Sequence, residues 1–157
     1  LKFPGSAPFS IEAWTRAAAI ATTQIIFMNE TRVGSNPMDG YALLFTSTGL
    51  YLERIANQAG ENTDKVPMPV GRYVHIVVTY DGTQERIFLD GTEAGVPHPD
   101  SFVLATYAAN ASIGAFESVS NVIDGDLDEF AIYGDALPPE RIAAHHAVGI
   151  NGPIVGN

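Results

Sequence analysis

The chain has 157 residues, of which 46% are hydrophobic, and 18 acidic residues against 8 basic ones give it a net charge of −10. This length and composition fit one globular domain that buries a core of its own. The charge argues against a nucleic-acid partner and an anionic membrane surface, since both are bound through clusters of basic side chains. No apolar stretch approaches the ~20 residues of a membrane-spanning helix, so membrane insertion is not expected either. The absence of cysteine excludes disulfides and thiolate metal sites.

Alternating and apolar segments predict strands in the first half of the chain. "FSIEAWTR" (residues 9–16) alternates along its length, and "TQIIFMNE" (23–30) is an apolar run of strand length. "YALLFTSTGLYLERIA" (41–56) predicts two strands joined as a hairpin at residues 47–49. The polar segment 57–71, rich in proline and glycine, is predicted to be a loop.

The second half continues with strands. "RYVHIVVTYDG" (72–82) is β-branched and aromatic, which is typical of a buried strand. "QERIFLDGTEAG" (84–95) predicts a strand, a turn at Asp90-Gly91 and a further strand. "ASIGAF" (111–116) and "GDLDEFAIY" (125–133) complete the set.

One helix is predicted, near the C-terminus. Pro138 and Pro139 can open its first turn, and Gly149 is predicted to end it. We therefore expect a domain over residues 1–148 and a tail or linker over 149–157. Many short strands and one terminal helix favour an all-β, antiparallel two-sheet sandwich, and the lack of crossover helices excludes a parallel α/β fold.

The acidic segment before the helix raises the question of a metal. In strict alternation Asp128 shares a face with Phe130 and Ile132. If these two side chains turn into the core, Asp128 follows them to the rim of the sheet. A carboxylate there needs a cation or several backbone N–H donors, because burying a lone charge is costly. The alternation leaves both alternatives open.

The histidines carry no catalytic or metal-binding pattern. His145 and His146 are adjacent on the predicted helix, so they point about 100° apart and cannot chelate one ion as an i, i+4 pair could. His75 lies in a buried strand, where a packed or surface histidine is the simpler interpretation. No phosphate loop, nucleophile elbow or zinc motif occurs.

The segments "FSIEAWTR", "GRYVHIVVTYDGTQERIFLDGTEAG", "ASIGAF" and "GDLDEFAIYGDALPPERIAAH" together resemble the laminin G-like, concanavalin A-like lectin/glucanase family. The resemblance covers residues 9–146 in order and spacing. It implies a jelly-roll of two packed antiparallel sheets, used for carbohydrate binding or adhesion. The family usually has a tryptophan where Tyr73 stands, which is interpreted as a packing variation.

The resemblance also implies a calcium site and no catalysis. Many members of the family bind Ca²⁺ at or near the aspartate that Asp128 matches, so Asp126 and Asp128 are the predicted metal ligands. The glucanases of the superfamily carry a Glu-x-Asp-x-Glu strand, whereas the matching positions here are Asp126, Asp128 and Phe130. Because the third carboxylate is missing, we expect a protein that is not an enzyme.

The loop "TRVGSNPMDGY" is the predicted glycan-binding segment. Arg32, Asn36, Asp39 and Tyr41 combine donors, acceptors and an aromatic ring, a set that suits the hydroxyl groups of a sugar. Trp14 is the only tryptophan, and its position in the middle of a strand predicts packing instead of ligand contact.

These observations favour a noncatalytic carbohydrate-binding or adhesion module that recognises a cell-surface glycan or polysaccharide. Because the chain starts at Leu1 without a methionine or a signal-peptide pattern, we expect it to be part of a larger protein. "DALPPERIAAHHAVG" is similar to laminin G-like modules of actinobacterial proteins and of minor tail proteins of their phages, which implies an extracellular, cell-surface or virion location. The alternatives are a structural spacer or protein–protein interaction domain within such an assembly, and a glycoside hydrolase.

Overall fold

A computed structural model describes residues 3–31, 39–56, 59–104, 110–116 and 121–151. Within these ranges the chain forms ten strands and one C-terminal helix. In chain order they are β1 (Phe9–Ala17), β2 (Gln24–Thr31), β3 (Asp39–Thr46), β4 (Gly49–Ala56), β5 (Ala59–Asn62), β6 (Val74–Tyr80), β7 (Gln84–Leu89), β8 (Thr92–Pro99), β9 (Ser112–Ile113), β10 (Gly125–Tyr133) and α1 (Pro139–Asn151). No helix in the described residues is long and apolar enough to cross a membrane.

The strands form two five-stranded sheets in which all pairings are antiparallel. The first sheet has the order β10-β1-β6-β7-β8, and the second has the order β5-β4-β3-β2-β9. This architecture confirms the predicted all-β sandwich with one short C-terminal helix. The hairpin predicted at residues 47–49 is confirmed as the β3–β4 connection.

The core lies between the two sheets and follows the alternation of their strands. From β1 the core receives Phe9, Ile11 and Ala13, as their spacing predicts, and from β3 it receives Tyr41 among others. The Phe9 and Tyr41 rings stack across the core with centroids 5.1 Å apart. Burial of such apolar surface, worth about 25 cal/mol per Å², is the main force that holds the sheets together.

Two predictions, one about a loop and one about the end of the helix, were wrong. Segment 57–71 was predicted to be a loop but contains the edge strand β5, which pairs with β4 only. An edge strand can be polar, so its sequence carries no apolar pattern that would predict a strand. Helix α1 continues through Gly149 to Asn151, so the predicted helix end at Gly149 was wrong. A Cβ at position 149 would overlap the Trp14 ring, which means that Gly149 permits close packing and does not end the helix.

A buried ion pair links the second sheet to the loop after β8. The Arg54 guanidinium, 1% exposed, donates to the carboxylate of Asp100, which also accepts a 2.7 Å hydrogen bond from the Phe102 backbone N–H. The same guanidinium lies 3.8 Å from the centroid of the Tyr80 ring. The Phe102 N–H and the Tyr80 ring add to the ion pair, and such further contacts offset part of the cost of removing two charges from water.

Helix α1 covers the outer face of the first sheet. Leu137, just before the helix, and Ile142 within it pack on Val77 and Phe88, which point outward from β6 and β7. The Ser10 hydroxyl accepts a hydrogen bond from the Leu137 N–H, and this contact fixes where the chain enters the helix. The helix therefore removes this sheet face from water.

Glu12 connects the sheet to the helix through three side-chain hydrogen bonds. Its carboxylate, on β1, accepts from His75 Nε2 at 2.7 Å, from the Tyr133 hydroxyl at 2.7 Å and from His145 Nδ1 of α1 at 3.0 Å. Burial alone would raise the pKa of the Glu12 carboxyl, but these hydrogen bonds outweigh it and lower the pKa from 4.5 to about 2. The carboxylate is thus ionised beneath the helix at neutral pH.

We expect Arg54→Met to reduce the free energy of unfolding by about 3–5 kcal/mol, because it leaves the Asp100 carboxylate buried without its cation. Urea denaturation at pH 7 measures the loss. The matched control is Arg86→Met, which breaks the more exposed pair with Glu93 and should cost less than about 1 kcal/mol. Equal small losses in the two variants would contradict a stabilising role for the buried pair.

Glu12 should make stability fall in acid. A depressed folded-state pKa contributes stability that is fully present above the unfolded value near 4.5 and is lost as the pH falls through about 2. Between pH 5 and pH 2 the free energy of unfolding, measured with urea, should fall more in the parent chain than in Glu12→Gln, by an amount on the order of 3 kcal/mol. Glu140→Gln, an exposed change on the same helix, should keep the parent profile. If the free energy of unfolding depends on pH in the same way in the parent and in Glu12→Gln, the Glu12 carboxylate is not the source of this acid-dependent stability.

Candidate functional site

The outer face of the second sheet holds the candidate site. In the described part of the chain no helix packs on this face, and a depression of about 440 Å³ lies on it. We call it the β2–β4 depression. It is lined by Thr23, Ile25, Met28, Leu44, Tyr51, Glu53, Phe116 and Asn121.

The floor of the β2–β4 depression is apolar. Ile25 and Met28 on β2 and Leu44 on β3 point away from the main core, and each is at most 4% exposed. Leu44 lies here because its neighbours Leu43 and Phe45 face the core, so the alternation of β3 turns it outward. These buried side chains give the depression a firm, close-packed base beneath the groups that a ligand can contact.

Aromatic and polar groups surround this floor. The rings of Tyr51 and Phe116 pack against it and are half-buried. Glu53, two residues after Tyr51 on the same face of β4, adds a carboxylate, while Thr23 and Asn121 add a hydroxyl and an amide. A sugar ring has an apolar C–H face and polar hydroxyl groups. The aromatic rings can stack on the first, and the polar side chains can form hydrogen bonds with the second.

The structure places the predicted loop residues differently from what the sequence indicated. Arg32 and Asn36 lie outside the described residues. Asp39 is half-buried and opens β3, where it pairs with Thr31. Tyr41 is fully buried in the core, and burial raises the pKa of its hydroxyl. Its ring therefore cannot stack on a ligand, because residue 41 belongs to the inward-facing set of β3 and not to a loop.

A β-bulge changes the predicted direction of Asp128. Phe130 and Ile132 pack against the core as expected, but Leu127 does so too. Glu129 and Phe130 both lie opposite Ala13 of β1, and Glu129 has a φ of 49°, so one extra residue shifts the pleat. Asp128 therefore lies on the outer face, is exposed and accepts a 2.8 Å hydrogen bond from the Glu129 N–H. The prediction that it follows Phe130 inward was wrong.

The predicted calcium ligands do not fit a metal site in this geometry. Asp126 pairs with Arg16, whose Nε donates to it at 2.7 Å and whose pKa is raised by that hydrogen bond and by the carboxylate's charge. Calcium takes six to eight oxygen ligands. Among the described residues no three His, Asp or Glu side chains lie where they could hold one ion. The described residues supply no complete calcium site, and calcium binding stays a prediction from the resemblance.

Sequence reasoning missed the β2–β4 depression, although part of its signal was present. Leu50 and Leu52 face the core, so alternation alone turns Tyr51 and Glu53 to the other side. Phe116 could not be assigned in this way, because it lies outside the two-residue strand β9, and its position depends on packing against a distant part of the chain.

The chain is similar to known proteins in sequence and in fold. A laminin G family model of the concanavalin A-like lectin/glucanases superfamily matches residues 1–143, whereas the comparison with curated proteins finds no match. The CBM40 module of the Ruminococcus gnavus IT-sialidase bound to alpha2,3 sialyllactose is similar at a TM-score of 0.72 and 13% identity, covering 89% of this chain and 83% of that chain. Domain 4 of AbnA, a GH43 extracellular arabinanase from Geobacillus stearothermophilus in complex with arabinotriose, is similar at a TM-score of 0.65 and 19% identity, covering 90% and 69%.

A further similar structure is the leech intramolecular trans-sialidase complexed with 2,7-anhydro-Neu5Ac. The TM-score is 0.72 and the sequence identity is 14%. The match covers 92% of this chain but only 24% of the longer enzyme. At these identities the similarity is one of fold, and it agrees with the two antiparallel sheets described above. The family match spans most of the sequence, and the chain therefore belongs to the concanavalin A-like lectin/glucanases superfamily.

Proposed function

We propose that the chain is a noncatalytic carbohydrate-binding module and that the β2–β4 depression is its glycan-binding surface. The observation that carries this proposal is the pair of half-buried rings, Tyr51 and Phe116, over an apolar floor on a sheet face that no helix of the described residues covers. The similar sialidase module and arabinanase domain, which are described with sialyllactose and arabinotriose, support the assignment.

The contacts around Tyr51 suit stacking on a sugar. Its ring packs on the buried cluster of Ile25, Met28, Ala42 and Leu44, which restricts its motion, and Lys65 Nζ lies 4.7 Å from its centroid. A ring held in this way loses little conformational entropy when a ligand covers it. The neighbouring carboxylate of Glu53 can accept hydrogen bonds from sugar hydroxyls.

The charge of the lining favours uncharged sugars. Glu53 is the one charged residue among those that line the depression. One cation, the Lys65 ammonium beside the Tyr51 ring, borders the depression. The described arginines all have other partners: Asp126 for Arg16, Asp100 for Arg54, Asp90 for Arg72, Glu93 for Arg86, and the Tyr133 ring for Arg141. An anionic sugar would meet a carboxylate in a protein that already carries a charge of −10. The proposed ligand is therefore a neutral oligosaccharide.

The wider setting is part of the same proposal. We place the module in a larger extracellular, cell-surface or virion protein, where it would attach its parent to a surface polysaccharide. The resemblance of the C-terminal segment to phage tail and actinobacterial modules supports this location. A structural spacer without any sugar site is the competing function, and a complete lack of glycan binding would favour it.

Replacing either ring should weaken binding to a neutral oligosaccharide. Tyr51→Ala and Phe116→Ala each remove a stacking surface worth about 1–1.5 kcal/mol, which corresponds to roughly a tenfold rise in Kd. Isothermal titration with the best glycan from an array provides the measurement. Tyr73→Ala is the matched control, because it removes a ring that is 42% exposed on the other sheet. Unchanged affinity in both Tyr51→Ala and Phe116→Ala would place the binding surface elsewhere.

The charge argument is tested by comparing matched neutral and sialylated oligosaccharides on the same array. We expect the neutral member of each pair to bind more tightly, and we expect the difference to shrink in Glu53→Gln because the repelling carboxylate is removed. Added salt should also reduce the difference in affinity between the neutral and the sialylated oligosaccharide, because it screens the repulsion between charges. Tighter binding of the sialylated member by the parent chain would overturn the proposed ligand class.

A further inference from the structure

A second cleft lies on the first sheet, on the opposite side of the sandwich from the β2–β4 depression. It has a volume of about 210 Å³ and is lined by Trp14, Tyr73, Asp128, Glu129 and Gly149. We call it the Trp14–Tyr73 cleft. Three parts of the fold meet there: the β1–β10 pair at the bulge, the residue before β6, and the C-terminal turn of α1. Among the described residues, none lines both this cleft and the β2–β4 depression.

The Trp14 wall of the cleft is rigid. The ring lies against His75 and His146, with centroids 4.9 Å and 5.6 Å away. Gly149 lets the helix backbone approach the indole so closely that any side chain at this position would overlap it. A wall fixed in this way is organised before a ligand arrives, which lowers the entropic cost of binding.

The Tyr73 wall is accessible and already attracts a cation. Its side chain is 42% exposed, which is unusual for a tyrosine next to a buried strand. The guanidinium of Arg16 lies 5.4 Å from the ring centroid, within the range of a cation–π interaction. Arg16 is held in place by Asp126, so its charge is neutralised locally.

The two carboxylates of the cleft have no such cation. The bulge turns Asp128 outward beside Trp14, its partner across the β1–β10 pair, and Glu129 follows directly. Both side chains are exposed. Within the described part of the chain no lysine, arginine or histidine pairs with either of them. Their negative charge is therefore directed to solvent next to two aromatic rings.

This chemistry fits an organic cation better than a metal ion or a sugar. Two carboxylates are too few for calcium, and an anionic ligand would be repelled. A quaternary ammonium group combines a positive charge with an apolar methyl surface, and it can contact ring faces and carboxylates at the same time. The cleft is smaller than the sites of drug-sized ligands, so it suits a small head group. We propose that the Trp14–Tyr73 cleft binds a small organic ammonium cation of the choline type.

The single tryptophan of the chain makes a direct test feasible. The Trp14 indole N–H gives one resolved signal in a ¹⁵N-correlation spectrum of the ¹⁵N-labelled chain, and choline should shift it saturably with a Kd on the order of 1 mM. The uncharged isostere 3,3-dimethylbutan-1-ol has the same shape and should cause no saturable shift. Phosphocholine should bind more weakly than choline, since its phosphate meets Asp128 and Glu129. Equal responses to choline and to the isostere would overturn the proposal.

Variants then assign the interaction to the cleft. Asp128→Asn combined with Glu129→Gln should raise the choline Kd at least tenfold, and Tyr73→Leu should raise it by a similar factor in chains whose melting transitions match the parent. The matched control Glu140→Gln removes an exposed carboxylate elsewhere and should leave the titration unchanged. Tyr51→Ala should also leave it unchanged, which separates this cleft from the glycan-binding surface. Choline affinity that persists in both cleft variants would refute the assignment.

Discussion

The hydrogen-bonded carboxylate of Glu12 anchors helix α1 to the outer face of the first sheet. It lies on the outer face of the first sheet and is bound by side chains of β6, β10 and α1. A single ionised group with three charge-assisted hydrogen bonds can hold a helix that buries little apolar surface of its own. Ile142 is the one residue of α1 that is buried. The anchor acts together with the packing of Leu137 and Ile142 on the outward side chains of Val77 and Phe88.

The consequence is a sandwich with two unlike outer faces. The first sheet is closed by the helix over most of its centre, and the site left at its edge is the small Trp14–Tyr73 cleft. The second sheet carries Met28 and Leu44 outward, where a ring on either side shelters them and no described helix does. Apolar side chains on an outer sheet face are stable when something covers them, and here the cover is partly provided by rings that a ligand can also contact.

The sequence predicted the strands well because alternation is a local property. The bounds of β10 were predicted correctly, and the inward set of β1 follows from spacing alone. Polar groups that meet over long distances were not predictable in this way. His145 contacts Glu12 from 133 positions away, and the adjacent His146 turns instead to Trp14. Adjacent histidines on a helix cannot share one ligand, but this rule does not identify the two different partners that they find.

Gly149 shows a different limit of sequence reasoning. Glycine near the end of a helix most often caps it, and the sequence contains nothing that distinguishes this use from close packing. The distinction depends on the Trp14 ring, which belongs to the opposite end of the chain. Tyr41 is a similar case, because its direction depends on where β3 begins, and glycine and proline around residue 40 predicted a loop. In both cases tertiary packing overrode the local preference.

The bulge at Glu129 links the core to the Trp14–Tyr73 cleft. Leu127, Phe130 and Ile132 all pack inward, and a strict pleat cannot place both Leu127 and Phe130 on one face because they are separated by an odd number of positions. One extra residue resolves this conflict, and Glu129 adopts the positive φ that the extra residue requires. The same shift turns Asp128 to the outer face beside Trp14. The packing of the core therefore determines where the carboxylates of the cleft lie. The same bulge that lets Leu127 and Phe130 both face the core also turns Asp128 toward the cleft.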